Sequence, residues 1–139
     1  MSTLENPDAV IRALTALNNG RFRLSTEAEA QEDIERALLS VFNPAQVTRE
    51  ARLSARDRPD FLISALPPAG AGCLSAEGGV VVEVKHNGAT AGATLRQLRR
   101  YAEHAEVGSI ILATGRAMDM PREIDGKRVF VVELGRSWL

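Results

Sequence analysis

Residues Gly78–Gly88 read GGVVVEVKHNG, and this stretch decides how the chain is organised. Three consecutive valines, Val80, Val81 and Val82, have the aliphatic continuity of a strand covered on both faces. Glu83 and Lys85 follow within the same strand, although a buried carboxylate or ammonium is costly unless it is paired or bound to a metal. Side chains two apart in a strand share a face, so Val80, Val82 and Val84 point one way and Glu83 and Lys85 stand together on the other. One face is core and the other ends in a charged pair. The bland reading of that pair is an exposed ion pair contributing about 0.2–1 kcal/mol, and the sharper reading is chemistry.

Working outward, the spacing predicts a helix from about Thr90 to His104, a strand over SIILAT (109–114), a short irregular or helical piece, and a strand over KRVFVVEL (127–134). Upstream, residues 67–78 carry two prolines and several glycines and form a connection. Before it, QVTREARL (46–53) and PDFLISAL (59–66) flank a polar turn at 54–58 and predict an antiparallel hairpin. A first helix is expected over 7–17, capped by Asn6, opened by Pro7 and ended by the Asn-Asn-Gly run at 18–20. A second opens at Thr26, where Thr26 and Glu29 fit a capping box, and carries the apolar stripe Ala30, Ile34, Ala37, Leu38 and Val41. The order predicts an α/β fold: a mixed five-stranded sheet with helices on both faces.

At 139 residues, 45% of them hydrophobic and 25% charged, the chain is expected to be one domain with a substantial core. Seventeen basic residues against 18 acidic ones leave no global nucleic-acid footprint. Fifteen of those cations are arginines and only Lys85 and Lys127 are lysines, which favours Lys85 being chosen as a compact, titratable point charge. The single Cys73 has no disulfide partner and no visible role, and two histidines cannot build a Cys/His zinc site. A metal here must be a hard one held by carboxylates. With no basic-then-apolar leader pattern and no run of 18 apolar residues, the expectation is a cytoplasmic protein with no membrane partner.

Asp60 enters the hairpin's second strand directly after Pro59, where it can lie beside Glu83 across the sheet. Two carboxylates converging at one position repel unless a cation or a proton sits between them. Pro59-Asp60, then 22 residues, then Glu83-Val84-Lys85 resembles the signature of the PD-(D/E)XK phosphodiesterases, the metal-dependent nucleases of restriction-endonuclease-like fold. Gln97-Leu98-Arg99-Arg100-Tyr101, on the following helix, is similar to the Q-h-x-x-Y motif of the RecB-like branch. Glu27 lies near the start of the helix that precedes the motif, where the family's first helix carries its acid. The resemblance runs from about residue 25 onward in the family's αβββαβ order and leaves residues 1–24 outside the core. The combination carries the weight: Asp125-Gly126-Lys127 also matches Asp-x-Lys and reads as a turn, and Pro7-Asp8 merely starts a helix.

The resemblance implies a Mg²⁺-dependent nuclease, with Mn²⁺ able to substitute. Asp60, Glu83 and the main-chain carbonyl of Val84 would hold the ion, with Glu27 as a further ligand or the holder of a second ion. The ion would lower the pKa of a bound water and neutralise phosphate charge. Lys85 would orient or deprotonate that water or stabilise the developing charge, and Gln97 would flank the site. Arg96, Arg99, Arg100 and Tyr101 on the helix after the motif, with Arg58 on the hairpin, would meet the DNA backbone. For a lone core of this size, structure-directed cutting of junctions, flaps or ends is expected over site-specific restriction. Dimerisation would suit a resolvase. The rival expectation is a catalytically silent member that binds nucleic acid or a protein.

Overall fold

The computed structural model describes residues 6–64, 78–86 and 88–134. The connection expected at 67–78, apart from Gly78, and Cys73 within it lie outside the described residues. Helix α1 spans Pro7–Asn19, with Asn6 as its cap accepting from the Ala9 N–H at 3.3 Å. It buries Ala9, Val10, Ala13 and Leu17, one helical stripe. It stops at Gly20, where a Cβ would lie 2.5 Å from the ring of Phe22. Helix α2 spans Glu27–Leu39 and starts at Thr26, whose hydroxyl accepts from the Glu29 N–H at 3.1 Å. The Glu29 carboxylate engages the Ser25 hydroxyl and the Arg23 guanidinium, so the expected box is built mainly from its threonine half.

Strands β1 (Val47–Arg49) and β2 (Phe61–Ile63) pair antiparallel, as the hairpin reading required, but they are shorter than expected. Glu50 takes a left-handed backbone (φ 51°) and turns the chain out of β1. The connection 50–60 is therefore a loop rather than a tight turn. Strand β3 (Gly79–Lys85) pairs antiparallel with β2 and parallel with β4 (Val107–Thr114), and helix α3 (Ala91–Ala102) makes the crossover between the two parallel strands. Thr90 caps α3.

The sheet has six strands, not five. Glu123–Ile124 forms a two-residue β5 against β6 (Lys127–Glu133), and the turn between them, Asp125-Gly126, has positive φ at both residues (51° and 77°). That is the primed turn which Asp-Gly favours in two-residue hairpins. The piece expected to be irregular or helical thus ends in a strand too short to show a period. The strand order is β1-β2-β3-β4-β6-β5, with β4 and β6 parallel.

Helices cover both faces of this open mixed sheet, as expected. On one, α1 and α2 pack on Phe61, Ile63, Val80, Val82, Val84, Ile111, Ala113 and Val132. On the other, Leu98, Tyr101 and Ala102 of α3 pack on Val81, Ile110, Ile124 and Val129. The alternation in β3 is what divides the two cores. No helix among the described residues is long and apolar enough to cross a membrane.

Candidate active site

The site forms where the sheet forks. β2 and β3 stay in register through Phe61↔Val82, which would set Pro59 opposite Val84. Proline has no N–H to donate, so the ladder ends there. The Val84 N–H is instead taken by the Asp60 carboxylate, at 2.7 Å to Oδ2. The carbonyl of a strand residue points to the same edge as its N–H, so the Val84 carbonyl also faces the fork beside Asp60. A proline followed by an aspartate thus converts the end of a ladder into a cleft edged by a carboxylate and a main-chain oxygen.

Glu83 meets Asp60 across this fork, its Oε1 accepting from the Asp60 N–H at 3.2 Å. Only 3% of Glu83 is exposed, which removes the reading of a solvated surface pair. Its other oxygen lies 3.2 Å from Lys85 Nζ, and the lysine side chain keeps 19% of its surface open. Behind Glu83, Tyr101 donates to Oε1 at 3.2 Å, and Gln97 Nε2 donates to the Tyr101 hydroxyl at 2.9 Å. The two motif residues of α3, four apart and on one face, therefore form a relay ending on Glu83. Tyr101 is held well above its ordinary pKa, first by burial and then by the Glu83 charge, so it remains a proton donor.

Burial also governs both acids. Asp60 is pushed up to about 6, chiefly by desolvation and further by the charges of Glu27 and Glu50, against the lowering effect of the Val84 N–H and Lys85. Glu83 is pushed up to about 7 by desolvation and then by Asp60, with Lys85 only partly offsetting. One ammonium does not neutralise a buried carboxylate and a half-buried one beside it.

Glu27, in the first turn of α2, is exposed and acts on Asp60 through its charge. The entry to α2 is fastened by His86, whose Nε2 donates to the Leu24 carbonyl at the end of β3, and by Arg23, which chelates Asp33. Among the described residues no three His, Cys, Asp or Glu side chains group closely enough to hold an ion by themselves. The oxygen donors at the fork, two carboxylates and a main-chain carbonyl, fit a hard ion that retains several waters, as Mg²⁺ does.

The expected substrate-facing arginines divide. Arg96 and Arg99 are exposed on the side of α3 away from Leu98 and Tyr101, and they have no acidic partner among the described residues. Arg58 is exposed and lies 3.8 Å from Glu50. Arg100 is committed elsewhere: its Nε donates to Asp57 Oδ1 at 2.9 Å, and His104 Nε2 meets Asp57 Oδ2 at 2.9 Å. This buried clamp fastens the 50–60 loop to α3, and the Arg100 side chain is the loop's anchor. His104, expected only as the end of the helix, partners Asp57.

Two contributors were not singled out from sequence. Glu50 adds its charge to the field at Asp60. Gln31, one turn after Glu27 on the same face of α2, donates from Nε2 to Asp60 Oδ1 at 3.0 Å. The i, i+4 relation to Glu27 puts it on the same helix face but does not announce its pairing with Asp60. Comparison of the chain with protein-family models, with curated proteins and with solved structures returns no match.

Proposed function

We propose that this chain is a divalent-metal-dependent deoxyribonuclease of the PD-(D/E)XK class, with a restriction-endonuclease-like core running from α2 to β4. The observation that carries the reading is the fork: the buried Glu83 carboxylate accepts from the main-chain N–H of Asp60, whose half-buried carboxylate lies beside it at the head of β2, and the Lys85 ammonium contacts Glu83. Two acids packed together with a single ammonium weaken a fold unless a further cation joins them, so the arrangement serves binding rather than stability.

Asp60, Glu83 and the Val84 carbonyl would hold Mg²⁺ or Mn²⁺, which supplies a water of lowered pKa and charge neutralisation at the phosphate. Lys85 reaches the same space and either orients the attacking water, takes its proton or stabilises the charge that develops on phosphate oxygen. Tyr101 and Gln97 keep Glu83 turned toward the fork. The Asp57–Arg100 clamp brings the loop carrying Arg52, Arg56 and Arg58 against the helix carrying Arg96 and Arg99. Arg52, Arg56, Arg96 and Arg99 have no acidic partner among the described residues, which suits contacts to phosphate rather than structural pairing. The proposal extends to cutting directed by DNA structure, at junctions, flaps or ends.

The test is to incubate branched, single-stranded and duplex DNA with the protein in Mg²⁺ or Mn²⁺, with and without chelator, beside Lys85→Ala. Loss of about 10²–10³-fold in cleavage rate is expected for Lys85→Ala, and complete loss with chelator. Cleavage that survives either treatment contradicts the mechanism, and DNA binding without cleavage under any condition favours a silent binding module.

A further inference from the structure

We propose that Gln31 is a positioning residue that fixes how Asp60 presents its carboxylate to a divalent cation, and that Arg49 fixes Gln31 in turn. The inference rests on the metal-binding reading of the fork. Gln31 Nε2 donates to Asp60 Oδ1 at 3.0 Å, while Arg49 Nη2 donates to Gln31 Oε1 at 3.4 Å. A carboxylate only accepts and a guanidinium only donates, so one orientation of the amide satisfies both neighbours. Arg49 is held from two further sides, by Glu35 at 3.1 Å and by the ring of Phe61 at 6.0 Å to its centroid. Glu35 and Gln31 are themselves one helical turn apart on α2.

The chain Glu35–Arg49–Gln31–Asp60 thus runs from α2 through β1 and back to the fork. It sets the position of one oxygen of Asp60, while the Val84 N–H sets the other. Both donors leave each oxygen a second lone pair, and both lock the carboxyl plane. Partners that orient a ligating carboxylate typically govern metal affinity by 10- to 100-fold. Gln31 gives this control without adding charge: an arginine in its place would neutralise Asp60, and a glutamate would repel it.

The test is calorimetric titration of Mn²⁺ into the whole protein, well below its melting temperature, for wild type, Gln31→Met, Arg49→Met and the double variant. Gln31→Met is expected to weaken Mn²⁺ binding about tenfold or more. Arg49→Met, which leaves the amide free to turn, is expected to weaken it by a smaller factor. Because Arg49 acts through Gln31, the double variant should bind no more weakly than Gln31→Met alone. Mn²⁺ affinity equal to wild type in Gln31→Met overturns the proposal, and so does an unchanged Arg49→Met if the glutamine variant fails to fold. A wild-type protein that binds no Mn²⁺ overturns the metal reading itself, and the inference with it.

Discussion

Asp57 and Asp60 are three residues apart in one loop and have opposite fates. Asp57 is met by His104 and Arg100, and these hydrogen bonds, the histidine's foremost, hold its carboxyl below the usual range. Asp60 is met by a neutral amide and a main-chain N–H, with a second acid across the fork, and burial drives its carboxyl upward. One carboxylate anchors the fold, and the other is the one the proposed function would use. Where cations are placed to satisfy an acid, it anchors the fold and is unavailable for chemistry. Where donors orient an acid without neutralising it, it is left able to take a cation. The two lysines repeat the contrast: Lys127 donates to the Ala102 and His104 carbonyls at 2.6 and 2.7 Å and caps α3, whereas Lys85 points into the fork.

Substitution separates the two regions most strongly. Asp57→Asn strips charge from a buried clamp and leaves Arg100 and His104 short of their partner, so a loss of about 1–3 kcal/mol is expected in denaturant unfolding. Glu83→Gln removes one of two mutually repelling acids, and the ion-free protein at pH 8 should melt at the wild-type temperature or above it. Glu83→Gln melting well below wild type would remove the distinction.

The pH dependence should differ in sign. Asp60 and Glu83 have folded pKa values raised above 3.8 and 4.5, to about 6 and about 7. Between those limits the folded state binds more protons, so their contribution is fully present below about pH 4 and is lost as pH rises through 7. Asp57, lowered when folded, contributes in the opposite sense: its share is present above its unfolded pKa of about 3.8 and is lost as pH falls through its folded value. Thermal melts of the ion-free protein should therefore fall between pH 5 and 8 more steeply for wild type than for Glu83→Gln, and parallel curves would contradict this assignment.

The smallest effect is expected at Lys127. Lys127→Met removes two bonds to the end of α3 and should cost about 0.5–1.5 kcal/mol while leaving Mn²⁺ affinity and DNA cleavage at wild-type levels. A change in either would erase the contrast with Lys85.

Much of this was legible in the chain. Alternation in GVVVEVK dictated both the two-sided core and the shared face of Glu83 and Lys85, because a two-residue period admits one arrangement. Pro59-Asp60 marked the start of a strand, and the four-residue spacing of Gln97 and Tyr101 put them on one helix face. What sequence did not carry was pairing at a distance. Nothing local to Asp57 announces Arg100 and His104, more than 40 residues away, so the pairing by which Arg100 anchors the loop was not foreseen. Gln31 looked like any polar helix residue, and its role depends on β1 bringing Arg49 alongside. The length of β1 was overread because the left-handed turn at Glu50 has no glycine or asparagine to mark it. β5 was missed because two residues show no period.

The measurement that bears most directly on the account is the Mn²⁺-induced rise in melting temperature at pH 8 for wild type, Asp57→Asn and Glu83→Gln. Binding to the folded state alone stabilises by about 2.7 kcal/mol at a hundredfold excess over Kd, a shift of several degrees. That rise is expected in wild type, with an equal rise from a lower starting point in Asp57→Asn, and none in Glu83→Gln. No rise in wild type, or the same rise in Glu83→Gln, would contradict it.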